Sequence, residues 1–324
     1  MGARVRTTTA ALLAALLAGC GSTVLVETED VMVLKLGRSS DPVRLAARHL
    51  GDPALAWRIS DLNAPEDLRP GGVVLAAKRD WRPTGVWPDG VQTVPVLAYH
   101  RFAAEGPCKG MTVCARDFED QLRYLADNGY VVVGLKDFAL FLRGERQLPR
   151  KAVVLTIDDG WRSTADIAEP LLAKYGARAT LFLYTDFVGA RAAVDWDDAA
   201  ALGARGVVDV QAHSKTHADL SKQKRGETWA QYKRRVREEA EVPASAIAAK
   251  TGARPFAFAY PYGTANTAVA EEVRAAGYEI AATVERGANP AFANPYFLSR
   301  TMIYGEDDLD VFARRLQTFR DAGA

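Results

Sequence analysis

The chain of 324 residues is 48% hydrophobic, enough for one large core and a small second unit. Its formal net charge of +1 excludes a general attraction to nucleic acid or acidic surfaces. With only four histidines and three cysteines, each of these residues can be read individually.

At the start of the chain, Arg4 and Arg6 precede an Ala/Leu run ending in Leu17-Ala18-Gly19-Cys20, the make-up of a targeting segment. The run is too short to span a membrane with room to spare. Leu-Ala-Gly-Cys resembles a bacterial lipobox. That resemblance implies a signal peptide over residues 1–19, lipid on Cys20, and an exported protein anchored in the cell envelope, facing the periplasm or on the outer membrane. An uncleaved anchor or an ordinary signal peptide is the alternative. Residues 20–30 then read as a tether.

Residues 31–79 read as a small α+β domain. A strand at Val31-Met32-Val33-Leu34 is followed by a helix from its N-cap Asp41, a second helix ended by Asn63, and a strand at Val73-Val74-Leu75. His49-Leu50-Gly51-Asp52-Pro53, Trp57, Ile59, Leu62-Asn63 and Leu68-Arg69-Pro70-Gly71 resemble a LysM repeat, although the usual Gly-Asp-Thr is missing. LysM domains bind glycans containing N-acetylglucosamine, so the resemblance implies contact with peptidoglycan; a spacer without affinity is the alternative. His49 reads as a structural or surface residue. Residues 80–93, rich in Trp, Pro, Gly and charge, read as a linker or wrapped arm.

The strand Val94-Pro95-Val96-Leu97-Ala98-Tyr99 ends at His100. Cys108 and Cys114 follow in a Gly/Pro/Lys loop, and in an exported protein a disulfide is the default reading. Closing so short a loop contributes about 2 kcal/mol in the chain-entropy picture. Beyond it, helical and strand patterns alternate. Phe118, Leu122 and Leu125 mark one helical face, and 153–157 is a strand. A helix over 228–250 is expected to kink or split at Pro243, 298–303 to form a late strand, and 309–319 a closing helix. Successive strand and helix units with titratable groups at strand ends indicate a parallel β/α barrel.

Two of those strand ends carry the chemistry. Val153-Val154-Leu155-Thr156-Ile157 stops at Asp158-Asp159-Gly160, and 207–210 leads to His213-Ser214-Lys215-Thr216-His217. Alone, Asp-Asp-Gly reads as a turn and a His pair as a surface accident. Together, in a chain so poor in histidine, an Asp and two His read as a metal site with open positions. Alternation along a strand would send Asp158 and Asp159 to opposite faces unless the chain bends between them.

Thr156-Ile157-Asp158-Asp159-Gly160 resembles the Thr-Phe-Asp-Asp-Gly motif of NodB-type polysaccharide deacetylases (carbohydrate esterase family 4). His213 to His217 resembles the family's His-Ser/Thr-x-x-His, and Phe258-Ala259-Tyr260-Pro261-Tyr262-Gly263 its Arg-x-Pro-Tyr segment, with Ala259 where many members carry Arg. That departure leaves open what orients the catalytic carboxylate. The resemblance implies an irregular seven-stranded NodB-type barrel over residues 94–320. It further implies a divalent ion, zinc with cobalt or nickel as alternatives, held by Asp159, His213 and His217. Asp158 would be the general base and the Tyr262 backbone N–H an oxyanion donor. The Tyr99-His100 pair is similar to the opening of the poly-N-acetylglucosamine deacetylase subgroup, which implies His100 as the acid; a hydrogen-bonded core histidine is the alternative. Tyr260 and Trp196 are candidates to line the sugar site, although an aromatic residue before a helix, as Trp196 is, belongs to the core more often than to a sugar platform.

The function implied is removal of N-acetyl groups from a polysaccharide containing N-acetylglucosamine, an exopolysaccharide first and peptidoglycan second. The rival from another class is a glycan-binding envelope lipoprotein without activity.

Overall fold

The computed structural model describes residues 21–38 and 40–323; Cys20 and the signal segment lie outside them. The chain divides into two compact units after Arg79.

In the first unit Thr23–Glu27, Val31–Lys35 and Val73–Ala77 form an antiparallel three-stranded sheet with Val31–Lys35 in the centre. The segment read as a tether therefore contains a strand, because Val24 packs on the core while its neighbours extend the ladder. Helix Pro42–His49 starts at Asp41, whose side chain accepts from Arg44 N, and the turns Pro53–Ala56 and Trp57–Ser60 follow. Asn63 links helix to sheet: its Nδ2 donates to the Ile59 and Leu75 carbonyls and its Oδ1 accepts from Leu75 N. Met32, Leu34, Leu45, Ile59, Val74 and Ala76 are the buried centre.

The second unit is built on strands β1 (Val94–Tyr99), β2 (Ala152–Asp159), β3 (Ala179–Leu183), β4 (Val208–Ala212), β5 (Ala257–Ala259), β6 (Ile280–Ala282) and β7 (Thr301–Met302). β1 to β6 lie side by side in chain order, every pair parallel. The sheet curls back on itself: β7 pairs with β1, and Leu298, just before it, bridges to Ala282 of β6. This is the expected irregular β/α barrel. The late strand is shorter than expected because 298–302 is shared between two neighbours across a narrow closure.

Side-chain alternation divides β2 cleanly. Val153, Leu155 and Ile157 enter the large core shared with Phe118, Leu172, Leu202 and Val236 of the surrounding helices. Ala152 and Val154 face a second cluster with Val96, Phe182, Ala257 and Ile280, and continuing their parity puts Thr156 and Asp158 on the same inward face.

The long helix Trp229–Thr251 is one element despite Pro243, so the expected split does not occur. Its buried stripe of Tyr232, Val236, Ala240, Ala244 and Ile247 overrides the proline, and the Tyr278 hydroxyl donates to the Ala240 carbonyl at 2.8 Å. The closing helix ends at Arg314, and Phe319–Asp321 is instead a strand paired with Gly90–Gln92. The linker therefore carries strands of its own, Val86–Trp87 and Gly90–Gln92. The Arg82 guanidinium lies 4.6 Å from the Trp81 ring and 4.7 Å from that of Trp87.

Candidate active site

The C-terminal ends of the parallel strands open into a cleft of about 260 Å³ lined by His100, Asp158, Asp159, His213 and His217 on its polar side. Met111, Tyr262, Val284, Met302 and Tyr304 add apolar surface. Asp159 closes β2 with φ 79°, a left-handed turn that brings both carboxylates to the same cleft.

Three groups converge. The Trp161 Nε1–H donates to Asp159 Oδ2 at 2.9 Å, leaving Oδ1 3.4 Å from His217 Nε2 and 3.7 Å from His213 Nε2. His213 donates Nδ1–H to the Ala259 carbonyl at 2.8 Å, which leaves the Nε2 lone pair facing the cleft. Burial, against the pull of Asp158, lowers its pKa to about 4, so the ring is neutral at neutral pH as a metal ligand must be. One ligand atom from each residue lies within 4.8 Å of the others. Two imidazoles and one carboxylate oxygen in that arrangement fit a divalent ion with open positions.

The loop between the histidines is held from below. Ser214 and His217 have φ of 72° and 60°, and Ser214 Oγ accepts from His217 N at 2.9 Å. Buried Glu239, on the long helix, accepts from the backbone N–H of Lys215 at 3.0 Å and of Thr216 at 2.9 Å, and from the Thr216 hydroxyl at 2.6 Å.

Asp158 is bound by Arg300 through two bonds, Nη1 to Oδ1 at 2.7 Å and Nη2 to Oδ2 at 2.8 Å. The arginine is fully buried; Nε donates to the Thr283 carbonyl and Nη1 also reaches Thr156 Oγ1. Burial alone would raise the Asp158 pKa, but Arg300, His213 and His100 outweigh it and hold the carboxyl well below the usual range.

His100 is buried at the cleft edge, and its Nδ1 meets no hydrogen-bond partner among the described residues. Tyr262 is 63% exposed, with φ 58° and its ring 4.7 Å from that of His217. Tyr260 touches the cleft, but its hydroxyl donates to the Tyr296 carbonyl at 3.0 Å and its side chain is buried in the wall. Trp196, the first residue of its helix, which is capped by Asp195, is partly buried against the main core and is not among the residues that line this cleft. Cys108 and Cys114 are joined, with Cα atoms 5.4 Å apart.

Residues 145–281 match the family model described as polysaccharide deacetylase. Over that stretch, less than half of its length, the chain is similar to polysaccharide deacetylases. The poly-beta-1,6-N-acetyl-D-glucosamine N-deacetylase of Escherichia coli K12 is 26% identical over 246 residues, covering 65% of this chain and 36% of that longer protein. The barrel also resembles the Streptococcus pyogenes deacetylase PplD, with a TM-score of 0.63, 22% identity and coverage of 70% of this chain and 99% of that one. For IcaB from Ammonifex degensii the TM-score is 0.62, the identity 24%, and the coverage 71% and 99%. At these identities the two structures speak for the fold.

Around this cleft, Arg300, Glu239 and Trp161 are not singled out by the sequence as site residues. Arg300 had a legible signal, an arginine inside the apolar run Leu298-Ser299-Arg300-Thr301-Met302-Ile303, next to the unanswered question posed by Ala259. Glu239 had none, because one acidic residue among many on a charged helix does not announce a distant loop.

Proposed function

We propose that this deacetylase acts on a polysaccharide containing N-acetylglucosamine, hydrolysing its acetamide groups, with an exopolysaccharide of the poly-N-acetylglucosamine type as the first candidate. The observation that carries the reading is the convergence of Asp159, His213 and His217 beside an Asp158 that has both oxygens held, in one open cleft. Asp159 Oδ1 and the Nε2 atoms of His213 and His217 would hold zinc, with cobalt or nickel as alternatives; when bound, the ion supplies Lewis acidity to the acyl oxygen and acidifies water.

The chain's own groups divide the remaining work. Asp158, kept ionised and oriented by Arg300, accepts the proton of the attacking water. His100 delivers a proton to the departing amine, and its place in the cleft lining, with a buried Nδ1 that meets no partner among the described residues, supports this role over that of a satisfied core histidine. The Tyr262 backbone N–H would donate to the tetrahedral oxyanion. Similarity to the E. coli enzyme favours a β-1,6-linked substrate.

The same reading extends to the envelope. Cys20 would carry a lipid anchor, the LysM-like first unit would contact peptidoglycan, and the Cys108–Cys114 disulfide would form on export. The deciding experiment measures acetate release from β-1,6- and β-1,4-linked N-acetylglucosamine oligomers and from peptidoglycan side by side. Release from the β-1,6 oligomers is the expected result; release from peptidoglycan alone would make the cell wall the substrate, and none from any of the three would remove the enzymatic reading.

A further inference from the structure

We propose that Met111, presented by the loop closed by Cys108 and Cys114, is a specificity-determining residue that grips the apolar face of a sugar ring at the edge of the cleft. The proposal rests on the glycan reading above.

The cleft has two flanks. Asp158 and Asp159 sit at the end of β2; beyond β4, two strands to one side, lies His217 with the exposed Tyr262 ring against it. On the other side β1 ends at His100, and Met111 stands next to it, its carbonyl accepting from Arg101 N at 3.1 Å. Met111 and Tyr262 therefore line the same cleft as the carboxylates, each from a different strand end. A β-linked pyranose whose substituents are all equatorial presents C–H groups on both faces, which an aromatic ring and a thioether can cover. Met111 is 49% exposed, an unbranched apolar side chain left open at a polar cleft.

The loop is built to hold it there. The disulfide closes the loop, and Gly305 N donates to the Gly110 carbonyl at 2.9 Å. Glu306 Oε2 accepts from Gly110 N at 2.7 Å. A Cβ at Gly305 would collide with the carbonyls of Thr112 and Cys108, so the two segments are pressed together as closely as backbone allows. The same contact places Tyr304 in the lining beside Met111.

The test uses the whole chain, with isotope-labelled methionine methyls observed by NMR during titration with β-1,6-linked N-acetylglucosamine oligomers. The chain has four methionines; Met111 and Met302 line the cleft, and Met32, buried in the first unit, is the internal control. The Met111 and Met302 signals should move and that of Met32 should not. Met111→Ala should raise KM about tenfold, the scale of one lost apolar contact, with kcat within about twofold. Cys108→Ser/Cys114→Ser should shift KM in the same direction. A Met302 signal that moves while Met111 stays fixed, or an unchanged KM in Met111→Ala, overturns the proposal and leaves the deacetylase reading standing. No methyl shift together with no acetate release overturns both.

Discussion

The Arg300 guanidinium meets the Asp158 carboxylate edge to edge, each terminal nitrogen on its own oxygen, the arginine fully buried and the carboxylate nearly so in the wall of the cleft. A buried pair of this kind is costly to break on one side only, because the surviving charge has no partner. Arg300→Met is therefore expected to lose about 3–5 kcal/mol of unfolding free energy in urea titrations, and adding Asp158→Asn should recover part of it. The pKa of Asp158 lies below its ordinary value in the folded state, so the contribution of the pair is fully present above about pH 4 and is lost as pH falls through the lower folded value. In folded Arg300→Lys protein that retains activity, the acid limb of the pH–rate profile should move to higher pH; an unmoved limb would separate the base from Asp158.

Metal binding and proton transfer should separate by mutation. His217→Ala is expected to lose ion and activity together, read by elemental analysis and acetate release. Asp158→Asn should keep the ion while turnover falls by roughly two to four orders of magnitude. His100→Ala should also keep the ion while turnover falls, because leaving-group protonation is a separate role. Loss of the ion in Asp158→Asn would exchange the roles of the two carboxylates.

Glu239→Gln addresses the loop rather than the ligands. It keeps size and removes the charge that accepts from Lys215 N and Thr216 N. Metal affinity, measured by chelator competition, is expected to fall roughly tenfold to a hundredfold, as for other groups that orient ligands. An affinity equal to that of the wild type would show that the Ser214 and His217 turns hold the loop unaided.

Anchoring is tested at Cys20, with Cys20→Ser expected to move the protein from the membrane fraction to the soluble fraction. Among the described residues no helix is long and apolar enough to cross a membrane. Retention of the variant in the membrane fraction would count against the lipid anchor.

The barrel and the polar side of the cleft were legible in local patterns of residues. The apolar runs ending in His100, Asp158 and His213 are the β1, β2 and β4 ends of the structure. What was not legible depends on contacts between distant segments. Arg300 reaches Asp158 across 142 positions, and Pro243 stays inside one helix because of what packs around it. Trp196 could not be divided between core and sugar site by sequence, since a tryptophan beside an N-cap satisfies either. The sheet formed by Gly90–Gln92 and Phe319–Asp321 joins a stretch that reads as linker to one that begins where the sequence reads the end of the closing helix.

The indole of Trp161 occupies one oxygen of Asp159. A carboxylate so engaged is biased toward binding through its other oxygen, and its two companions are nitrogen donors. Calcium, which gathers six to eight oxygens, and magnesium, which insists on an octahedron of hard ligands, are poorly served by such a set. One hydrogen bond from a neighbouring ring thus biases the seat toward an ion that accepts two imidazole nitrogens and a single carboxylate oxygen.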